Sequence, residues 1–515
     1  MRTRTALAQA RIRRVRTGQC RRDRGPGITV RESVRSRAMI EIGVFHNGSS
    51  DLPPVRTPSG VACNDGSLRE VHLAAQRTIV NQIRQGILAD KLGFDYWFQT
   101  EHHFQPEGAE TSPNPLASEM AIAASTRRIR LGQAANIITW HHPVRIAEMT
   151  AMLDVVSGGR VEVGVGRGYQ PRENEVLGKP FGSTIQDQER NRVAFTEAFD
   201  LIIKCWTQES FSHRDEFFSV PPRYTKWNHK QTIAYFGLDR VTQNVDDVLD
   251  IGPPDMYSAG NPVMATTTTL KELSVFPQPL QKPYPQIWEP LTSPRSIKFC
   301  AERGVNGYFI VEPSSRLKQN IDLYYDHAEK CGWPDRLNRG AFKYGWDAEK
   351  RRGIVTCRYI HLVLPGMDRD RELRRYKQAL EVLWDYYGPF GFAAMVAEAG
   401  EAFTNLSAKV EPDTLLRKDI ALFGTPAEIV GKIIKLKEDV GYEDFMFHAW
   451  FELAGFNAQE TEAQMHYFAE ECLPELYRLC GGRPAYKPEF PIPDFDDVRQ
   501  QPESTERQHI IAGQK

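Results

Sequence analysis

The sequence predicts a (β/α)8 barrel, and three observations carry the prediction. Short apolar strands alternate with amphipathic helices along most of the chain, the sequence form of stacked βα units around a parallel sheet. Eight strand candidates occur, enough to close a barrel rather than leave an open sheet. Several of them run from apolar residues straight into titratable or small polar ones, as barrel strands do at their C-terminal mouth.

Taken in order, residues 40–45 read as the first strand. A Gly-, Ser- and Pro-rich loop over 47–66 follows it. Residues 67–92 place Leu73, Ile79, Val80, Ile83, Ile87 and Leu88 at helical spacing, and Gly93 is a good C-cap. The second strand spans 94–98 and is rich in aromatics. A helix over 116–124 leads to a third strand over 129–138. A helix over 143–156 is closed by Ser157, Gly158 and Gly159. The fourth strand, 161–165, runs into Gly166, Arg167 and Gly168, and a long amphipathic helix covers 184–205. Residues 211–271 then break the alternation with Pro, Asn and Thr clusters; the stretch is too long for an ordinary connection and reads as an insertion. Beyond it come strands over 286–288, 307–311, 354–364 and 444–448. Helices are expected over 295–303, 317–331, much of 369–408, and 458–479.

The ends differ from this core. Residues 1–38 are crowded with arginines against only Asp23 and Glu32, and lack the apolar stretch of a secretory signal. A transit peptide or a basic arm fits that composition, but Met39 immediately precedes the first strand. We expect a disordered extension upstream of the true start. Residues 39–480 then form the barrel domain with its inserted segment, and 481–515 form a polar, Pro-rich tail.

Composition narrows the function. The 515 residues carry 65 Lys+Arg and 66 Asp+Glu, so the overall charge gives no reason to expect a nucleic-acid partner. No apolar run approaches the ~18 residues of a membrane span. The eight cysteines form no C-x-x-C pair, and isolated thiols in a reducing cytoplasm are expected.

The strand ends bring the chemistry together. They offer Glu101, His102 and His103; Ala134, Ala135 and Asn136; Trp140, His141 and His142; Arg167 between two glycines; and Thr292, Ser293, Arg295 and Ser296. Small hydroxyl residues opening a helix present backbone N–H and Oγ donors to an anion. Arg167 on a glycine-lined loop can bring a guanidinium to the same phosphate. The plainer alternative is an ordinary N-cap and an ordinary turn. Gly164, Gly166 and Gly168 make no dinucleotide fingerprint, because Tyr169 stands where its third glycine belongs. Adjacent histidines on an extended segment point to opposite sides, so each His pair gives one metal ligand at most, too few for a metal-dependent hydrolase. His102 beside Glu101 at a strand end reads as an acid or base. Trp97, Trp140 and Trp288 read as packing residues.

One set of motifs resembles a known family. Phe94-Asp-x-Trp-x-x-x-Glu-His-His-Phe104, Leu131-Gly-x-Ala-Ala135, His142-Pro-Val-Arg-x-Ala-Glu148, Ser157-x-Gly-Arg160 and Gly164-x-x-Arg-Gly168 are together similar to the bacterial luciferase-like flavin-dependent monooxygenases. Ala301-Glu-Arg-Gly304 and Gly424-Thr-Pro426 continue the likeness towards the C-terminus. The resemblance implies a TIM-type barrel that binds reduced FMN, or coenzyme F420 in one branch. In the flavin branch it implies use of O2 on a small organic substrate, with reduced flavin delivered by a separate reductase, and it implies a homodimer. Carried over, His102 matches the family's catalytic histidine with Glu101 beside it. Ala134 and Ala135 match a flavin-lining segment that often holds a cis peptide. Arg167, Ser293 and Ser296 match phosphate contacts. Gly166 stands where the luciferases carry a reactive cysteine, so light emission and long-chain aldehydes are not implied. An F420-dependent oxidoreductase and a flavin-binding barrel without turnover are the alternatives.

Overall fold

A computed structural model of the chain describes residues 40–236, 242–244, 268–331, 354–402, 405–406, 408–441, 445–483 and 490–495. The expected N-terminal extension, the middle of the insertion and most of the C-terminal tail lie outside the described residues.

Eight parallel strands close on themselves. They are β1 (Ile40–His46), β2 (Tyr96–Gln99), β3 (Arg130–Gln133), β4 (Val161–Gly166), β5 (Gln286–Pro290), β6 (Asn306–Phe309), β7 (Val355–Leu362) and β8 (Phe445–Trp450). Each pairs with its sequence neighbours, and β1 pairs with β8 in the register Ile40 opposite Phe445, through Phe45 opposite Trp450. The surrounding helices are α1 (Leu68–Leu92), α2 (Pro115–Ala123), α3 (Pro143–Ser157), α4 (Gln188–Thr207), α5 (Pro294–Arg303), α6 (Ser314–Lys330), α7 (Arg369–Tyr387), α8 (Pro426–Val440), α9 (Ala458–Glu471) and α10 (Leu473–Leu479). Local signals set several limits. Ser67 and Glu70 form a capping box at the start of α1, and Gly93 ends that helix at φ 92°. Among the described residues no helix is long and apolar enough to cross a membrane.

The alternation of side chains along each strand builds two apolar layers. Ile40, Ile42 and Val44 face the helices, while Phe45 joins Phe98, Trp288, Tyr308, Tyr359 and Trp450 inside the barrel. The interior is thus filled by rings, with one imidazole among them: His448 Nδ1 lies 2.9 Å from the Tyr308 hydroxyl, and burial pushes its pKa down to about 3. Gly43 is required here, because a Cβ at that position would lie 2.5 Å from the His448 ring.

Four expectations need correction. The third strand is not continuous over 129–138: it stops at Gln133, resumes at Asn136–Ile137, and becomes a 3-10 turn at Ile138–Trp140. The Glu101 carboxylate accepts the Ile137 amide at 2.6 Å, and the Ala134–Ala135 peptide is cis. The helix expected from 184 starts at Gln188, because Glu175 binds the Thr184 hydroxyl and the Ile185 amide, leaving Asp187 as N-cap. The helix expected over 458–479 is two helices meeting at Cys472, since Pro474 has no N–H to continue the ladder. Finally, a four-residue strand, Ala421–Gly424, and α8 after it went unread; the strand pairs only with the upper part of β7, outside the closed ring. In the insertion, the described residues include the ladder of His213–Arg214 with Ser219–Val220 and the helix Lys230–Phe236. His213 Nε2 lies 3.0 Å from Glu197 on α4, which ties the insertion to the barrel exterior.

Candidate functional site

The C-terminal ends of β1 to β5 and β8 surround one cavity of about 190 Å3, with Ala134, Ala135, Gly166 and Trp450 in its walls. Of the predicted site residues, Glu101, His102, Ala134, Ala135, Arg167 and Ser296 line it. Ser293 does not; its hydroxyl accepts the Ser296 amide as the N-cap of α5, and Thr292 lines the cavity instead.

Glu101 and His102 are neighbours that serve different partners. Glu101 Oε1 lies 2.6 Å from His141 Nε2 and 3.3 Å from His103 Nε2, and Oε2 takes the Ile137 amide. Burial alone would raise this carboxyl, but those hydrogen bonds outweigh it and hold it below the usual range. His102 turns the other way. Its Nε2 lies 3.5 Å from Glu110 and its Nδ1 3.4 Å from Glu173. Burial would push the ring's pKa down, yet the two carboxylates reverse that and raise it to about 9. The two carboxylates thus favour the protonated ring, which suits His102 to donating a proton.

Glu110 is a junction that the sequence did not disclose. It accepts the hydroxyls of Tyr169 (2.9 Å), Tyr386 (3.1 Å) and Tyr387 (2.9 Å), and the amides of Gln170 (2.9 Å) and Asn47 (3.1 Å). It sits in a loop without periodicity, so no sequence signal marked it. Asn47 continues the chain of contacts, since its backbone N–H donates to Glu452 at 2.6 Å after β8.

At the other end of the cavity stands a cationic corner. Arg167 Nη1 is buried with no hydrogen-bond partner in the protein. Burial lowers this guanidinium's pKa, Glu289 opposes that, and Arg192 and Arg295 add to it. Glu289 shares the wall; burial raises its carboxyl to about 7, against a hydrogen bond from the Cys300 thiol at 3.0 Å and the pull of Arg167. A buried cationic donor lacking a partner, next to the Ser296 and Thr292 hydroxyls at the opening of α5, fits a phosphate. Trp97, Trp140 and Trp288 are buried packing residues, as expected, and Trp140 and Trp288 donate to Asn174 and Glu162. Among the described residues the only group positioned to share a metal is Glu197, His213 and Asp215, away from this cavity.

The chain is similar to known proteins in sequence and in fold. The sequence profile of the luciferase-like monooxygenases matches residues 66–260. A Sinorhizobium fredii protein of no assigned role, y4vJ, is 33% identical over 154 residues, 30% of this chain and 41% of the relative, so the chain spans well under half of that protein. The oxygenase component of the flavin-dependent trigonelline monooxygenase of Acinetobacter baylyi is 21% identical over 75% of this chain and 87% of its own. Among solved structures, the oxygenating constituent of 3,6-diketocamphane monooxygenase from Pseudomonas putida, in complex with FMN, is similar in fold (TM-score 0.56, 18% identity, 85% of this chain and 99% of that one).

Proposed function

We propose that this chain, which belongs to the luciferase-like monooxygenase family, is the oxygenase component of a two-component flavin-dependent monooxygenase. It takes reduced FMN from a separate flavin reductase and uses O2 to oxygenate a small organic substrate. Homodimerisation and a cytoplasmic setting complete this reading.

The observation that carries it is the buried Arg167 Nη1, which has no hydrogen-bond partner, on a residue lining the same small cavity as His102. Arg167, Ser296 and Thr292 would hold the FMN phosphate, and Ala134 and Ala135 would flank the ring. When bound, reduced FMN supplies the electrons that make O2 reactive towards an organic molecule. The protein contributes position and a proton. His102 donates from a ring held by Glu110 and Glu173; Glu101 fixes the turn after β3 through Ile137.

The test is equilibrium binding of reduced FMN and reduced F420 to the full chain without oxygen, followed by an oxygen pulse. Tight binding of FMN and flavin-dependent O2 uptake are expected. A preference for F420 with no O2 uptake would move the protein to the deazaflavin branch. Binding of neither would remove the phosphate site. His102→Ala separates an enzyme from a flavin-binding barrel, since only an enzyme loses turnover while keeping FMN.

A further inference from the structure

Beside the cavity just described lies a second one, of about 460 Å3, between the loop around Val61–Cys63, the loop around Glu107–Ala109, and the C-terminal part of α7. It falls within the ~300–1,000 Å3 of small-molecule sites. A single layer of side chains divides the two. Tyr169 faces the inner cavity; Gln170, Tyr386 and Phe390 face the outer one. The Phe390 ring meets Tyr169 at 5.2 Å and Tyr386 at 5.5 Å, edge to face. Gln170 Nε2 donates to Tyr386 Oη at 2.7 Å, and both residues donate to Glu110, the carboxylate that also faces His102.

The chemistry of the outer wall is one-sided. Val61, Ala62, Ala109, Val382 and Phe390 supply its apolar surface. Its three charged residues are engaged within the protein. Arg172 forms a two-pronged pair with Glu107 at 3.0 and 2.8 Å, and Asp385 accepts the Ala62 amide at 2.7 Å. A charged ligand would meet no unused counter-charge there and would lose hydration without compensation. An apolar body gains from leaving water. On the side towards His102 the Tyr386 hydroxyl and the Gln170 amide are engaged in the same way, Tyr386 with Gln105 at 2.7 Å and Gln170 with Glu110 and Gln105.

We infer that the outer cavity is the substrate chamber, and that it takes a neutral, largely apolar organic molecule. This rests on the monooxygenase reading for the word substrate; the binding site itself does not. The Tyr386–Gln170–Glu110 contacts form the screen between substrate and the inner cavity.

The test uses the full chain and a neutral naphthalene ketone, 6-propionyl-2-dimethylaminonaphthalene, whose emission shifts to the blue on leaving water. Val61 is half exposed, so Val61→Trp fills the mouth without touching the core, and Ala62→Phe fills the wall from the next position. Far-UV circular dichroism and thermal melting of the same variants serve as the check on folding. One dye per chain with blue-shifted emission is expected, weakened roughly tenfold or more in both variants, with FMN affinity unchanged. Equal dye affinity in wild type and variants, no dye binding, or equal binding of an anionic naphthalene sulfonate overturns the chamber. If the dye behaves as expected and FMN does not bind, the chamber stands and the cofactor reading falls.

Discussion

Glu110 Oε1 lies 3.5 Å from His102 Nε2, across a boundary that both residues share with the inner cavity. The relationship has a pH signature. The folded ring titrates at about 9, above its ordinary 6.5, so the pair's contribution to stability is fully present below about 6.5 and is lost as pH rises through about 9. In Glu110→Gln this loss shifts to lower pH. Thermal melting followed from about pH 6 to about pH 10 checks it; an unchanged profile would show that Glu110 does not hold the proton on His102.

Replacing the donor itself is the catalytic counterpart. His102→Ala is expected to lower turnover by ~10²–10⁴-fold, the usual contribution of a positioned acid or base. FMN affinity measured on the same protein should stay near wild type, because the cationic corner is untouched.

The corner around Arg167 gives a binding prediction. Arg167→Ala should weaken FMN by about 1.5–3 kcal/mol while leaving riboflavin, which has no phosphate, nearly unaffected. Glu289 titrates at about 7, so it gains charge beside the phosphate position as pH rises through that value. Relative to Glu289→Gln, FMN affinity in the wild type should therefore fall over that range, the second ionisation of the FMN phosphate at ~6 being common to both. Parallel calorimetric titrations with the two ligands decide both points.

Two residues of the family-like motifs are structural. Arg160 is fully buried, and its guanidinium donates to the carbonyls of Ser157, Ile129, Ala123 and Thr126. Lysine cannot reproduce that fan of donors. Arg160→Lys is expected to cost about 3 kcal/mol or more, read from denaturant unfolding, with the FMN site intact in the fraction that folds.

Gly164 is tighter still. A Cβ there would sit 1.6 Å from the Gln133 carbonyl oxygen. Gly164→Ala should fail to give soluble protein, or melt far below wild type, because strands β3 and β4 cannot approach; a normal melting temperature would contradict the packing described.

The sequence made the barrel legible because periodicity and strand-end chemistry are local signals. Strand β1 and helix α1 were readable from apolar spacing and from Gly93 alone. The Ala421–Gly424 strand was not, since it is short and pairs outside the ring. The same division runs through the candidate site. His102 and Arg167 stand at strand ends and announce themselves. Glu110 becomes important only because Tyr169, Gln170, Tyr386 and Tyr387 arrive at it from distant parts of the chain. Ser293 was read as a ligand because caps and phosphate sites use the same hydroxyl; the structure spends it on the cap.

The closure of the ring carries a consequence for synthesis. The Asn47 amide just after β1 donates to Glu452 just after β8, 405 residues later. An emerging chain must therefore keep the first strand's edge uncovered until nearly the whole barrel has left the ribosome. Contacts of such long range make folding slow and leave partly built sheets open to mispairing. In this protein the aromatic residues that fill the interior are also those exposed while the gap persists. Yield in a cell is then governed by chaperone capacity as well as by the stability of the finished barrel.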